Sequence, residues 1–385
     1  MSIRVLNRFP CANVRVLQVR SDGSEAEVRF AADTHGGPES MWFYFKIDDP
    51  SPAAEPPANL TLTLHFFNNM LGGWNPETLR PVIREQGKQW FRLRAPVVER
   101  QPDGQDTLSW TIPYPANVTE VALCYPYYRD ELAQTLTAGR GYWQEDNIGL
   151  TQGGRLMPRL RNEIEEGCQA CPNPRGLYLL CRQHAGETPG AWVLDGMLTA
   201  FARAKPVNWC IWVVPFADLD GVHLGNYGKD AFPYDLNRAW GQPPMRHETL
   251  VIQRDLARWS KRCKPELVLD LHAPGLSENS GVYAFPMVGK TPEQEKSATA
   301  WSNVFQQAIG PEYADENFAR RAAYASRWET PRLTEHVRDV LHCTAVTIET
   351  PYAMCRDLVL TTKQYREIGQ RLARAVMQRN AALQR

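Results

Sequence analysis

The chain reads as an α/β protein in two parts. An N-terminal antiparallel β-sandwich domain, residues 1–123, is followed by an α/β domain, residues 124–385, with a central mixed, largely parallel sheet. Three observations predict this. Residues 1–125 hold many short β-type runs and no convincing helix, the texture of a sandwich. After Tyr125, strand candidates alternate with helical segments, as in a parallel sheet covered by helices. At 385 residues the chain is too long for one ordinary core and fits two domains.

In order, the first part offers strand candidates at 14–19, 27–30, 42–47, 60–66, 91–94 and 107–112. Residues 60–66 alternate with period two, so one face is buried. Turn clusters separate the runs at 21–23, 35–38, 48–59 and 102–104, rich in Gly, Pro, Asp and Ser. In the second part, strands are expected at 176–181, 209–216, 266–272 and 343–349. Helices are expected at 188–204, 247–263, 293–308 and 362–384. The run 266–272 is almost continuously apolar, as befits a strand buried on both faces.

Charge and composition exclude several classes. Lys+Arg and Asp+Glu are equal at 43 each, so no field steers the chain to nucleic acid or to an anionic membrane. No apolar run reaches about eighteen residues, and residues 1–30 carry too many charges for a secretory signal. The nine cysteines are scattered, and a cytoplasmic location with reduced thiols is expected. Cys168 and Cys171 form a lone CxxC, weak evidence to which no function is given.

The chemistry begins at His184-Ala185-Gly186-Glu187, just past the strand 177–181. Thr188 is a favoured N-cap and Pro189 a favoured first helical residue, so His184 and Glu187 lie on a strand-to-helix turn. That is the rim where open α/β sheets place their sites. An imidazole and a carboxylate are part of the His₂Glu ligand set of a hydrolytic zinc ion. His272 closes the strand 266–272, and Glu349 closes 343–349 just before Thr350-Pro351. Alone, each reads equally as a hydrogen-bonded or ion-paired structural residue; three strand ends of this kind can converge on one sheet edge. Glu349 is then placed as a general base for a metal-activated water. Asn237 and Arg238 offer an amide and a planar fork suited to gripping a carboxylate. Asp235 can accept the second ring N–H of His184 and fix its tautomer. In isolation Asp235-Leu236-Asn237-Arg238 also reads as a solvated turn.

Taken together, these residues resemble the zinc carboxypeptidases of the carboxypeptidase A type, in particular the cytosolic carboxypeptidase branch. The matching segments are 184–190, Gly225-Asn226-Tyr227, 235–238, Asp270-Leu271-His272, Thr347-Ile348-Glu349 and Cys124-Tyr125-Pro126-Tyr127. The resemblance is strong over 175–350 and only architectural over 1–120. It implies one Zn²⁺ per chain on His184, Glu187 and His272. It further implies that Asn237 and Arg238 hold the C-terminal carboxylate of a peptide or protein substrate, and that Glu349 activates the water. Members of the branch often remove glutamate.

Two departures stand out. The branch carries an arginine after Gly-Asn-Tyr, where it stabilises the oxyanion; here Gly228 and then Lys229 follow. Loss of one such donor costs on the order of 10²–10³ in rate, unless Lys229 reaches in. The usual Asn-Pro before Asp-Gly is Asp218-Leu219. Tyr324 is the nearest counterpart of the lid tyrosine. Arginines 320, 321, 327, 332 and 338 precede Glu349 and suit either an acidic C-terminal residue or a solvated helix face. Two rivals remain from the residues: a zinc amidase or deacylase acting on small N-acyl amino acids, and a non-catalytic zinc-binding relative.

Overall fold

The computed structural model describes residues 3–21, 25–35, 37–50, 56–102, 104–162, 173–322 and 326–383. Among the described residues, ten strands precede the first α-helix. They are β1 (Arg4–Leu6), β2 (Arg15–Ser21), β3 (Ala26–Ala31), β4 (Tyr44–Asp48), β5 (Asn59–Leu64), β6 (Val82–Glu85), β7 (Phe91–Arg92), β8 (Val97–Glu99), β9 (Thr107–Pro113) and β10 (Thr119–Ala122). They form two five-stranded sheets, β1-β4-β10-β6-β7 and β2-β3-β5-β9-β8. Alternating apolar residues put Phe30, Leu60, Leu62 and Ile112 of one sheet against Phe43, Phe45 and Ile47 of the other. The rings of Phe30 and Phe43 lie 5.2 Å apart in a T-shaped contact, so the sheets pack face to face as a sandwich. All pairings are antiparallel except β3 with β5. That exception arises because the chain donates β4 to the opposite sheet between them and returns in the same direction.

From residue 129 onward the described residues form, beside a small two-stranded sheet of Met354–Cys355 and Leu358–Val359, an eight-stranded sheet. Its strands are β11 (Trp143–Leu150), β12 (Leu156–Asn162), β13 (Arg175–Cys181), β14 (Trp209–Val214), β15 (Lys264–His272), β16 (Val282–Pro286), β17 (Ala314–Ala319) and β18 (Thr344–Glu349). The order is β11-β12-β14-β13-β15-β18-β16-β17. The central four are mutually parallel, while β12 meets β14, and β16 meets β18, antiparallel. The mixed, largely parallel sheet of the sequence reading is therefore present. Seven α-helices accompany it: α1 (Arg129–Ala138), α2 (Thr188–Ala204), α3 (Leu219–Leu224), α4 (His247–Trp259), α5 (Pro292–Ile309), α6 (Leu333–His336) and α7 (Thr362–Leu383).

Central strands are buried on both sides. Leu177, Leu179, Leu269 and Ile348 join α2 and α7 in one apolar cluster continuous with the sandwich core. Tyr178, Leu180, Val268 and Ala345 join α4 in a second. Sequence reading missed α1, the β11–β12 hairpin, β16 and β17, whose strands are short or lie at the sheet margin and so lack a clear apolar period. The helix expected to reach residue 263 stops at Trp259, because the chain must turn before Lys264 enters β15 beside Pro174. No helix of the described residues is long and apolar enough to cross a membrane.

Candidate metal centre

The parallel register brings the strand ends together. Cys181 of β13 pairs with Leu271 of β15, and His272 of β15 with Glu349 of β18. Beyond Cys181 the chain makes a tight turn held by the buried Arg182, which donates to the carbonyls of Ala185 at 2.7 Å and Tyr127 at 3.0 Å. Helix α2 starts at Thr188 with Glu187 in the cap position, one residue earlier than the Thr-cap pattern suggests. The Glu187 carboxylate caps nothing because two imidazoles engage it. Gly190 allows the first turn of α2 to lie on β15: a β-carbon there would sit 2.7 Å from the Leu271 carbonyl.

The result is a compact triad. His184 Nδ1 lies 2.7 Å from Glu187 Oε1, and His272 Nδ1 lies 2.8 Å from Glu187 Oε2. One donor atom from each of the three falls within 4.8 Å of the others, and all three residues are buried. Each imidazole turns its remote nitrogen to a carboxylate. His184 Nε2 is 3.3 Å from Asp235 Oδ1, and His272 Nε2 is 2.9 Å from Asp270 Oδ2. Such contacts fix the tautomer that leaves the other nitrogen free for a metal. Asp235 is itself held by the backbone N–H groups of Asn237 at 2.7 Å and Asp230 at 2.8 Å. Gln183 donates to Asp270 at 2.6 Å and accepts from Trp240 Nε1 at 2.8 Å. Sequence reading gave Asp270 and Gln183 no role. The signal for Asp270 was its place two residues before His272, on the same side of a strand.

The electrostatics are those of a cation site. Burial opposes a charge on His184, but Glu187 and Asp235 outweigh it and raise its pKa to about 9. His272 is likewise driven up against burial by Asp270 and Glu187. Glu187 and Asp235 are held well below the carboxylate range by the imidazoles, although burial pulls the other way. Glu349 behaves differently. Burial pushes it up to about 7, with Glu187 adding and His272, Lys229 and His184 opposing. Its Oε2 has no hydrogen-bond partner. Two imidazoles that a metal would deprotonate and a carboxylate, with each ring held from behind by a second carboxylate, match the donor chemistry of a catalytic zinc site with an open position.

Asn237 and Glu349 share a cavity of about 230 Å³ with Thr347, Arg321 and Arg332. Asn237 Nδ2 lies 3.5 Å from His272 Nε2. Arg238 is buried beside it, donating to the Asn237 carbonyl at 2.9 Å and to Ser326 Oγ at 3.3 Å. The other arginines of that segment are engaged elsewhere. Arg320 binds Asp315 and stacks on Tyr283, Arg327 binds Glu39 and Asp230, and Arg338 binds Asp339. Tyr324, Cys168 and Cys171 lie outside the described residues. Gly228 has φ +90°, and a β-carbon on it would lie 2.5 Å from the Ala185 amide nitrogen. An arginine is therefore sterically excluded there. The loop is fixed to the turn by Gly186 N–H donating to the Tyr227 carbonyl at 2.7 Å.

No family model matches the chain. Cytosolic carboxypeptidase 1 of Mus musculus is 24% identical over 325 residues, 73% of this chain but 26% of that protein. Cytosolic carboxypeptidase 6 of Caenorhabditis elegans is 22% identical over 350 residues, 86% of this chain and 74% of that protein. The chain thus spans about a quarter of the mouse relative's length. Among solved structures, a metallo-carboxypeptidase from Burkholderia cenocepacia superposes with TM-score 0.80 at 18% identity, over 100% of both chains. One from Pseudomonas aeruginosa, in complex with (2-guanidinoethylmercapto)succinic acid, gives 0.75 at 20%, again over 100% of both. These structures share the whole architecture, sandwich included. With a His-Glu-His triad at the rim of that fold, the chain is a distant homologue of the cytosolic carboxypeptidases and is similar throughout to the bacterial metallo-carboxypeptidase structures.

Proposed function

We propose that this protein is a zinc-dependent metallocarboxypeptidase, a hydrolase that removes the C-terminal residue of a peptide or protein. The observation that carries the reading is the triad of His184, Glu187 and His272, with donor atoms within 4.8 Å, next to Glu349 on the adjoining strand. One zinc ion per chain, when bound, polarises the scissile carbonyl and lowers the pKa of a water toward ~7. Glu349, whose Oε2 has no hydrogen-bond partner, would accept a proton from the attacking water and pass it to the leaving amine. Asn237 and Arg238 hold the terminal carboxylate of the substrate. Asp235 and Asp270 keep both imidazoles in one tautomer.

A preference for an acidic C-terminal residue, glutamate in particular, is read from Arg321 and Arg332 on the cavity wall, where an acidic side chain would compete with their present partners Glu295 and Glu335. In this reading residues 124–385 form the catalytic domain, and the sandwich domain of residues 1–123 roofs the approach of a protein substrate. The protein acts in the cytoplasm, without nucleic-acid or membrane partners.

The test is a mass-spectrometric screen of peptides varied at the last residue, against zinc-loaded protein. Release of that residue alone, fastest for glutamate and suppressed by C-terminal amidation, is expected. Equal cleavage of amidated peptides, or turnover of small N-acyl amino acids with none of peptides, assigns the site to an amidase or deacylase instead.

A further inference from the structure

The two imidazoles of the metal centre are supported unequally. Asp235, behind His184, is held by two backbone N–H groups at 2.7 and 2.8 Å. Asp270, behind His272, is buried and is held in another way. Its Oδ1 has no hydrogen-bond partner among the described residues. Its Oδ2 accepts from Gln183 Nε2 at 2.6 Å and faces His272 Nε2 at 2.9 Å. The direction of this carboxylate therefore depends on one side-chain amide.

An amide can lie either way round. Gln183 is fully buried, so each of its ends needs a partner of the right sense. Trp240 settles which end goes where. An indole Nε1 only donates, and it lies 2.8 Å from Gln183 Oε1, which leaves Nε2 to face Asp270. Reversed, the amide oxygen would stand against the carboxylate, two acceptors with no proton between them. The indole is itself fixed. Trp240 is buried, its backbone N–H donates to the Pro331 carbonyl at 3.2 Å, and its carbonyl accepts from Gln253 Nε2 at 3.3 Å. Its ring lies 5.7 Å from that of His336.

We propose that Trp240 is a positioning residue for the metal centre: it sets the sense of the Gln183 amide, which aims Asp270 at His272 and keeps His272 Nδ1 turned toward the metal. This role rests on the reading of the triad as a zinc site and extends it to a residue that touches no ligand atom. Trp240 follows Asn237 and Arg238 on the same short segment. The stretch read as the holder of the substrate carboxylate thus also braces a metal ligand. Support from behind a ligating imidazole fixes its ring and tautomer, and its loss weakens the hold on the ion.

Release of zinc from the loaded full chain into excess chromophoric chelator tests this without turnover. Trp240→Phe keeps an aromatic ring and loses the N–H, and should release zinc about fivefold faster, the scale of one lost buried hydrogen bond. Gln183→Met, close in shape but without an amide, should do at least as much, and it carries the test if Trp240→Phe fails to fold. A merely structural contribution would add to any other change at the site. A role exerted through Asp270 cannot, so beside Asp270→Asn the Trp240→Phe change should alter the release rate by less than about twofold. A wild type that holds no zinc overturns the zinc reading and this role together. Zinc held by the wild type, and released at the same rate by folded Trp240→Phe or by Gln183→Met, overturns this role alone. So does a Trp240→Phe effect that persists undiminished beside Asp270→Asn.

Discussion

His272 and Glu349 stand side by side on neighbouring parallel strands, paired in register at the last residues of β15 and β18. One strand end thus presents a nitrogen to the triad, and the next presents a carboxylate oxygen without a hydrogen-bond partner. The difference in their surroundings underlies the first two predictions.

Asp270→Asn should weaken zinc binding about 10–100-fold, the usual cost of removing a carboxylate behind a ligating imidazole. His272→Ala should abolish tight binding and turnover together. Competition with a chromophoric chelator measures both. Unchanged affinity in either variant would remove that residue from the site.

Glu349→Gln should retain the fold and the zinc but lose most turnover, because an amide accepts no proton. In the metal-free protein the Glu349 carboxyl ionises at about 7, and a nearby dication lowers that value. A base works as the carboxylate, so kcat/KM should rise with pH through a limb below about 7. The limb should vanish in any residual activity of the Gln variant. A limb that persists there belongs to another group.

Metal and protons compete for His184. Without metal, its pKa is raised to about 9 from the ordinary 6.5. Its charged pairing therefore stabilises the metal-free fold fully below about 6.5, and that contribution is lost as pH rises through about 9. Zinc needs the neutral ring, so binding near pH 7 should release protons, and affinity should rise with pH over the same window. Calorimetry in buffers of different ionisation enthalpy counts the protons. A count of zero at pH 7 would contradict imidazole ligation.

After His272, Lys229 on the Gly228 loop also lowers the pKa of Glu349. If it serves the oxyanion, Lys229→Ala should lower kcat more than it raises KM; a silent variant places its charge outside the reaction. Gly228→Arg should unfold or inactivate the protein rather than improve it. The residue sits at φ +90° with no room for a β-carbon, and both penalties destabilise by more than about 1 kcal/mol. A thermal melt of Gly228→Ala unchanged from wild type would contradict this.

Arg238→Ala should cost about 2–4 kcal/mol in kcat/KM on free-acid peptides, as expected for a lost charge-assisted contact. On amidated peptides its effect should be small. Comparison of the two peptide series on wild type and variant checks this, and equal losses on both would mean that Arg238 acts through packing alone.

What sequence by itself determined about this protein is whatever repeats along a segment or sits at its end. The apolar runs of β13, β15 and β18, and the polar residues closing them, were legible because a strand buried on both faces must be continuously apolar and a ligand at its end must break that run. His184, Glu187, His272 and Glu349 were singled out in this way, and the fold brings the first three within 4.8 Å with Glu349 on the adjoining strand. Asp235 behind His184 was also legible, but tertiary structure alone decided which groups stand behind His272. Gln183 reaches Asp270, and Trp240 reaches Gln183, across chain separations that no periodicity records. It also sorted the arginines: of the five ahead of Glu349, Arg321 and Arg332 line the cavity beside Glu295 and Glu335, while Arg320, Arg327 and Arg338 are turned to carboxylates elsewhere. It closed Gly228 to any side chain, because the steric limit there is the Ala185 backbone, more than forty positions earlier in the chain. Strand identity is a local balance of burial and backbone preference, whereas side-chain partnership depends on which distant backbones the fold brings within a few ångströms.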